Sequence, residues 1–136
     1  METGITLTRF RRTAAVLVAA LALAALPGCI GGSEEDDAGD AVKDYTEAIA
    51  DGDEKKICET LSKDSRKQLE KGDRKCEDAY KNFGAFLNDE QKDKLKDIDP
   101  EVKVDGDTAT TKVDEQPLEG EVRLKKEDGE WKISSR

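Results

Sequence analysis

Three cysteines carry most of the chemistry in this 136-residue chain, and their surroundings set them apart from one another. Cys29 closes the run Leu26-Pro27-Gly28-Cys29, behind an apolar stretch from Ala14 to Leu26 and a basic group of Arg9, Arg11 and Arg12. That arrangement reads as a lipobox, which directs a bacterial precursor to be acylated on cysteine and cut just before it. Gly28 supplies the small residue ahead of the cut. Leu26 is the aliphatic residue three places before the cysteine, and Cys29 is the thiol that takes the lipid. Pro27 departs from the pattern, since Ala or Ser is more usual there.

The apolar stretch is 13 residues long, inside the range of a signal h-region and short of the roughly 18 residues a spanning helix needs. An ordinary secretory signal with a coincidental cysteine is the bland alternative. A single-pass anchor lacks a charged stop-transfer flank. The Arg11-Arg12 pair raises twin-arginine export, but Thr13-Ala14-Ala15 matches that motif poorly. The expectation is therefore a signal peptide over 1–28, with Cys29 holding the protein to the extracytoplasmic face of the cell membrane. Each buried methylene contributes about 0.8 kcal/mol, so one acyl chain binds weakly while a diacylglyceryl group holds stably.

With Cys29 spent on lipid, Cys58 and Cys76 remain as a pair in an oxidising compartment, where a disulfide is the natural partnership. Closing a loop of that length stabilises by roughly 3 kcal/mol on chain-entropy grounds. The chain has no histidine, so two cysteines make a poor zinc set and neither has a base to activate it as a nucleophile. No metal and no cofactor is expected.

After Cys29 come Ile30-Gly31-Gly32-Ser33 and the acids Glu34-Glu35-Asp36-Asp37. Glycine, serine and consecutive like charges read as a flexible, self-repelling tether over 29–39. Adjacent carboxylates in such a run offer calcium no preformed cage. Removal of 1–28 leaves 20 basic and 31 acidic residues, a net charge of −11. Such a domain is repelled by anionic headgroups and by nucleic acid, and no basic patch with interleaved aromatics offsets this.

Residues 40–136 read as one small domain with a modest core. Asp40 is a candidate cap for a helix carrying Ala41, Val42, Tyr45, Ala48 and Ile49 on one face. Asp51-Gly52-Asp53 ends it, and Asp53 can cap a second helix holding Ile57, Cys58 and Leu61. Ser62 can cap a third through Leu69. Cys76, Ala79, Tyr80 and Phe83 form a stripe on a helix beginning near Arg74, and Asn88 caps a last polar helix holding Leu95. From Glu101 the period becomes two. Val102 and Val104 face the same way as Ala109, Thr111 and Val113 across a turn at Asp105-Gly106 or Gly106-Asp107. Val122 and Leu124 face the same way as Trp131 and Ile133 across Asp128-Gly129. Lys103, Lys112, Arg123, Lys125 and Lys132 then form a wet outer face. The fold class is α+β, with N-terminal helices packed on an antiparallel sheet of about four strands.

This order of elements resembles the nuclear transport factor two-like superfamily. More narrowly, it is similar to small uncharacterised lipoproteins of actinobacteria and related high-GC bacteria. The matching residues are Cys58-Glu59-Thr60-Leu61-Ser62, a second cysteine at Cys76, and the strand pair turning from Val104 to Ala109. The resemblance spans about residues 40–134 and implies a cone-shaped fold, its curved sheet wrapped round a long first helix. Its members include enzymes, ligand binders and accessory domains, so the fold alone does not give the function.

Members that isomerise ketosteroids use an aspartate base and a tyrosine donor in an apolar cone. Here the tyrosines are Tyr45 and Tyr80, both on helical apolar stripes, and the acids fall at caps, turns and polar faces. Asp97, Asp99 and Glu101 look like the start of a calcium loop, but Val102 stands where that loop needs glycine. Trp131 reads as a core anchor, with a stacking platform as the alternative. The expected function is a non-enzymatic module of the cell envelope that binds a small ligand or an envelope protein. The alternative is a small hydrolase or isomerase acting in the cone.

Overall fold

The computed structural model describes residues 32–134. Cys29 and Gly28, and with them the acylation and cleavage assignments, lie outside the described residues. Five α-helices come first, followed by four strands: α1 (Glu34–Asp51), α2 (Glu54–Thr60), α3 (Lys63–Leu69), α4 (Cys76–Tyr80), α5 (Asp89–Lys96), then β1 (Lys103–Asp105), β2 (Thr108–Val113), β3 (Gly120–Glu127) and β4 (Glu130–Ser134). A 3-10 turn, Phe83–Phe86, lies between α4 and α5.

The first helix corrects the sequence reading. Residues 34–39 are not a tether, and Asp40 is not a cap: α1 begins six residues earlier, at Glu34, with Ser33 as its N-cap. Ser33 Oγ accepts from Asp36 N at 3.2 Å, while Asp36 Oδ2 accepts from Ser33 N at 3.1 Å, a reciprocal capping box. The four acids that repel one another in an extended chain occupy the positive end of the helix dipole, where negative charge is favoured. Ala38 and Val42, fully buried, bind this turn to the core.

Other caps agree with the sequence expectation. Gly52 ends α1 in the left-handed region, Asp53 accepts from Lys56 N at 3.0 Å, and Asn88 accepts from Gln91 N at 2.8 Å. The α4 helix is a second correction. It starts at Cys76, not near Arg74, and ends at Tyr80, so the expected stripe breaks; Ala79 is exposed and Phe83 falls in the 3-10 turn. Asn82, with φ 66°, interrupts the helix between them.

The sheet is an open antiparallel meander in the order β1-β2-β3-β4. Val104 pairs with Ala109, so the first hairpin turns at Gly106-Asp107. The second turns at Asp128-Gly129, whose φ values of 53° and 86° suit the tight turn that matches strand twist. One face carries Ala109, Val113, Leu124, Trp131 and Ile133 into a core shared with α1 and the cysteines. A second cluster, Ala48, Ile49, Ala50, Ile57, Leu87 and Leu95, fills the space between α1, α2 and α5. Fully burying each of Ile49, Ile57 and Leu95 contributes about 1.5–3 kcal/mol. The free edge of β4 is partly covered: Leu61 bridges Ile133 in parallel, and Ser62 N donates to Ile133 O at 2.8 Å.

Candidate ligand groove

Cys58 and Cys76 are joined, with Cα atoms 6.1 Å apart, and both are buried. The loop they close contains Leu61, Ser65, Gln68 and Leu69, all on or beside α3. These residues form one wall of a groove. Tyr80, four residues past Cys76, Tyr45 of α1, Leu118, Val122 of β3 and Ile133 of β4 complete the lining. The groove has a volume of about 280 Å³.

Its chemistry comes from what the fold leaves half-open. Tyr45, Leu69, Tyr80, Leu118 and Val122 are each partly buried against the core, so apolar surface from separate segments converges on one depression. Convergence of this kind, with a few polar groups at the rim, is the usual make-up of a small-molecule site. Burial pushes the Tyr45 phenol up out of the ordinary tyrosine range, and the neighbouring Tyr80 adds to the shift. Burial also raises Tyr80, with its interaction with Tyr45 acting the other way. Both phenols stay neutral at physiological pH.

A proton-abstracting site would need a carboxylate beside these phenols. Among the described residues the buried polar side chains are Thr46, Ser62, Ser65 and Thr111, and none is an acid. Thr46 Oγ1 donates to Lys43 O at 3.0 Å and Thr111 Oγ1 to Glu101 O at 2.8 Å, so both hydroxyls are held by backbone. Of the acids of the calcium-like run, Asp99 pairs with Lys43 at 3.2 Å. Among the described residues, no group of three His, Cys, Asp or Glu is placed to hold a metal ion, and no helix is long and apolar enough to cross a membrane.

Trp131 is 6% exposed and packs in the core, away from the groove. Its Nε1 donates to Glu34 Oε2 at 3.2 Å, and Lys126 Nζ lies 5.6 Å from the ring centroid. Lys126 also binds Glu34 Oε1 at 2.6 Å. The hydrogen bond from Lys126 holds the Glu34 carboxyl below its usual range, with the lysine charge and the indole acting in the same direction. Sequence reasoning missed this cluster, having assigned Glu34 to a tether and left Lys126 without a role. It also missed Ser65, Gln68, Leu69 and Leu118 as groove residues. The available signal was weak: Leu69 and Leu118 are solitary leucines in polar stretches, each directly before a glutamate.

The DUF4878 pattern, described as a domain of unknown function, matches residues 31–134. The chain belongs to the DUF4878 family. The match takes in every helix and strand of the fold, so groove, disulfide and sheet all lie within the DUF4878 domain. No curated protein matches the chain. No solved structure matches it either.

Proposed function

We propose that this DUF4878 protein is an extracytoplasmic lipoprotein, anchored to the cell membrane through the lipid on Cys29, whose domain binds a small apolar ligand without transforming it. The observation that carries the binding part is the convergence of Tyr45, Leu69, Tyr80, Leu118 and Val122 on one groove. The anchoring part rests on Leu26, Gly28 and Cys29 in register behind a short apolar stretch. The helices-then-sheet order also supports a nuclear transport factor two-like relationship, and the cysteine spacing a kinship with actinobacterial-type lipoproteins. The hydrolase or isomerase alternative has weaker support, because the described residues offer no buried carboxylate beside the phenols.

Binding is tested on a soluble chain beginning at Ser33, which keeps the α1 cap. Thermal shift is read against fatty acids, peptidoglycan fragments and small aromatic metabolites. An apolar ligand should raise Tm for this chain and lose its effect in Leu69→Asp, a half-exposed position on the groove wall. No shift with any apolar ligand, or an equal shift in Leu69→Asp, would defeat the reading.

A further inference from the structure

The groove beside Tyr45 and Tyr80 differs from the rest of the surface in its charge. Asp, Glu, Lys and Arg make up 40% of the chain, which carries a net charge of −9 at pH 7. A depression beside Trp131 reflects that composition, with Asp37, Asp40, Asp44, Glu59 and Glu130 in its wall. Among the described residues that line the groove, only Glu121 and Arg123 are charged. These two are bound to each other: Arg123 Nε donates to Glu121 Oε1 at 2.7 Å. Burial raises Tyr45 and Tyr80 alike, so both phenols are neutral as well. The lining therefore holds no unmatched charge.

Size and stiffness limit the occupant further. A cavity of roughly 150 Å³ takes a benzene ring, and the groove is about 280 Å³, room for a fused pair of rings. Its lining is braced from several sides. Leu61 bridges Ile133, Ser65 Oγ donates to Ile133 O at 3.4 Å, and the Cys58–Cys76 bond ties α2 to the start of α4. A braced cleft favours a rigid ligand, which has little conformational freedom to lose on binding. Tyr45 and Tyr80 add rings that an aromatic ligand can stack on or meet edge-on.

We infer that the groove takes an uncharged bicyclic aromatic ligand, and that the Glu121–Arg123 pair keeps ionised molecules out. This restriction rests on the groove being a small-ligand site and narrows it: fatty acids, ionised at neutral pH, are excluded. An ionised group entering the groove would lose water and meet no unmatched countercharge, a cost that a neutral ring escapes. Glu121 is the residue that decides. With it in place, the Arg123 charge is already answered at the groove. Without it, the guanidinium offers a planar fork that matches a carboxylate.

The test uses the full chain in lipid nanodiscs and bicyclic probes that differ in charge: naphthol, naphthoate and naphthylmethylammonium. Binding is read by calorimetric titration at neutral pH, with protein-free nanodiscs subtracting partition into lipid. Naphthol should bind at least about ten-fold more tightly than either ion. Glu121→Gln should tighten naphthoate by roughly three-fold or more, the scale of an exposed ion pair, and leave naphthol unchanged. Glu121→Ala should do the same, and unchanged naphthol binding shows that each variant keeps the groove. An ion that binds as tightly as naphthol, or naphthoate unmoved in both variants, would overturn the inference and leave the small-ligand reading standing. No binding of any probe would overturn both.

Discussion

The indole N–H of Trp131 donates to the Glu34 carboxylate at 3.2 Å, joining the last strand to the first turn of the first helix across 97 residues. Lys126, on the neighbouring strand and directly opposite Trp131, closes the cluster by binding the same carboxylate. A tryptophan at the end of a core would otherwise leave its one donor without a protein partner. Glu34 is that partner, and it is available because the acidic run is helical.

Truncating Trp131 to alanine should cost about 3–5 kcal/mol, as for other large core aromatics, read by urea denaturation. Glu34→Gln isolates the carboxylate. Since Glu34 titrates below its usual range in the fold, its contribution is fully present above the ordinary glutamate pKa and is lost as pH falls through the lowered folded value. Stability of Glu34→Gln should therefore depend less on pH than wild type across that window. Identical acid limbs would show that the cluster does not couple to folding.

Removing the Cys58–Cys76 bond, by replacing both residues with alanine, should lower stability by roughly 2–5 kcal/mol. The loss should extend to the groove, since one of its walls lies inside the loop the bond closes. Non-reducing peptide mapping of protein taken from the proposed extracytoplasmic location should recover the two cysteines linked. Two free thiols in that material would refute the pairing.

Gly84→Ala should destabilise by about 1–3 kcal/mol, the usual cost of forcing atoms into a filled site. The added methyl would meet backbone, Gly52 Cα at 2.7 Å and Gly52 N at 3.1 Å, which cannot swing aside as a side chain could. Denaturation midpoints of Gly84→Ala and of Ala85→Ser, an exposed neighbour on the same turn, should differ clearly. Equal midpoints would mean the turn is not seated on α1.

For the proposed anchor, Cys29→Ala should abolish lipid labelling and leave the precursor uncut by the lipoprotein peptidase. Mass spectrometry of the membrane fraction checks both. Mature protein from that variant still beginning at residue 29 would show the Leu26–Cys29 reading to be wrong.

The elements that could be read in advance are those whose causes are local. Asp128-Gly129 and Gly106-Asp107 carry their turn chemistry within two residues, and Asn88 and Ser62 cap helices that begin at the next residue. Strand faces came from alternation, and Trp131 lies buried where alternation put it. The elements that escaped have causes far away in the chain. The acidic run looked like a tether because its countercharge, Lys126, is 92 residues distant. Ala79 sits at helical spacing from Cys76, but α4 stops after Tyr80 and leaves it in solvent. The groove was invisible for the same reason: Leu69 and Leu118 lie in separate polar segments and meet only once α3 has docked beside β4.

The early start of α1 also fixes how far the protein can roam. With Cys29 in the bilayer as proposed, only residues 30–33 separate the lipid from the first helical turn, and that turn is fastened to the sheet. Five peptide steps span about 17 Å at full stretch. A leash that short lets the domain swivel and drift laterally but keeps it close above the headgroups. Whatever it meets must come down to the bilayer or already reside in it.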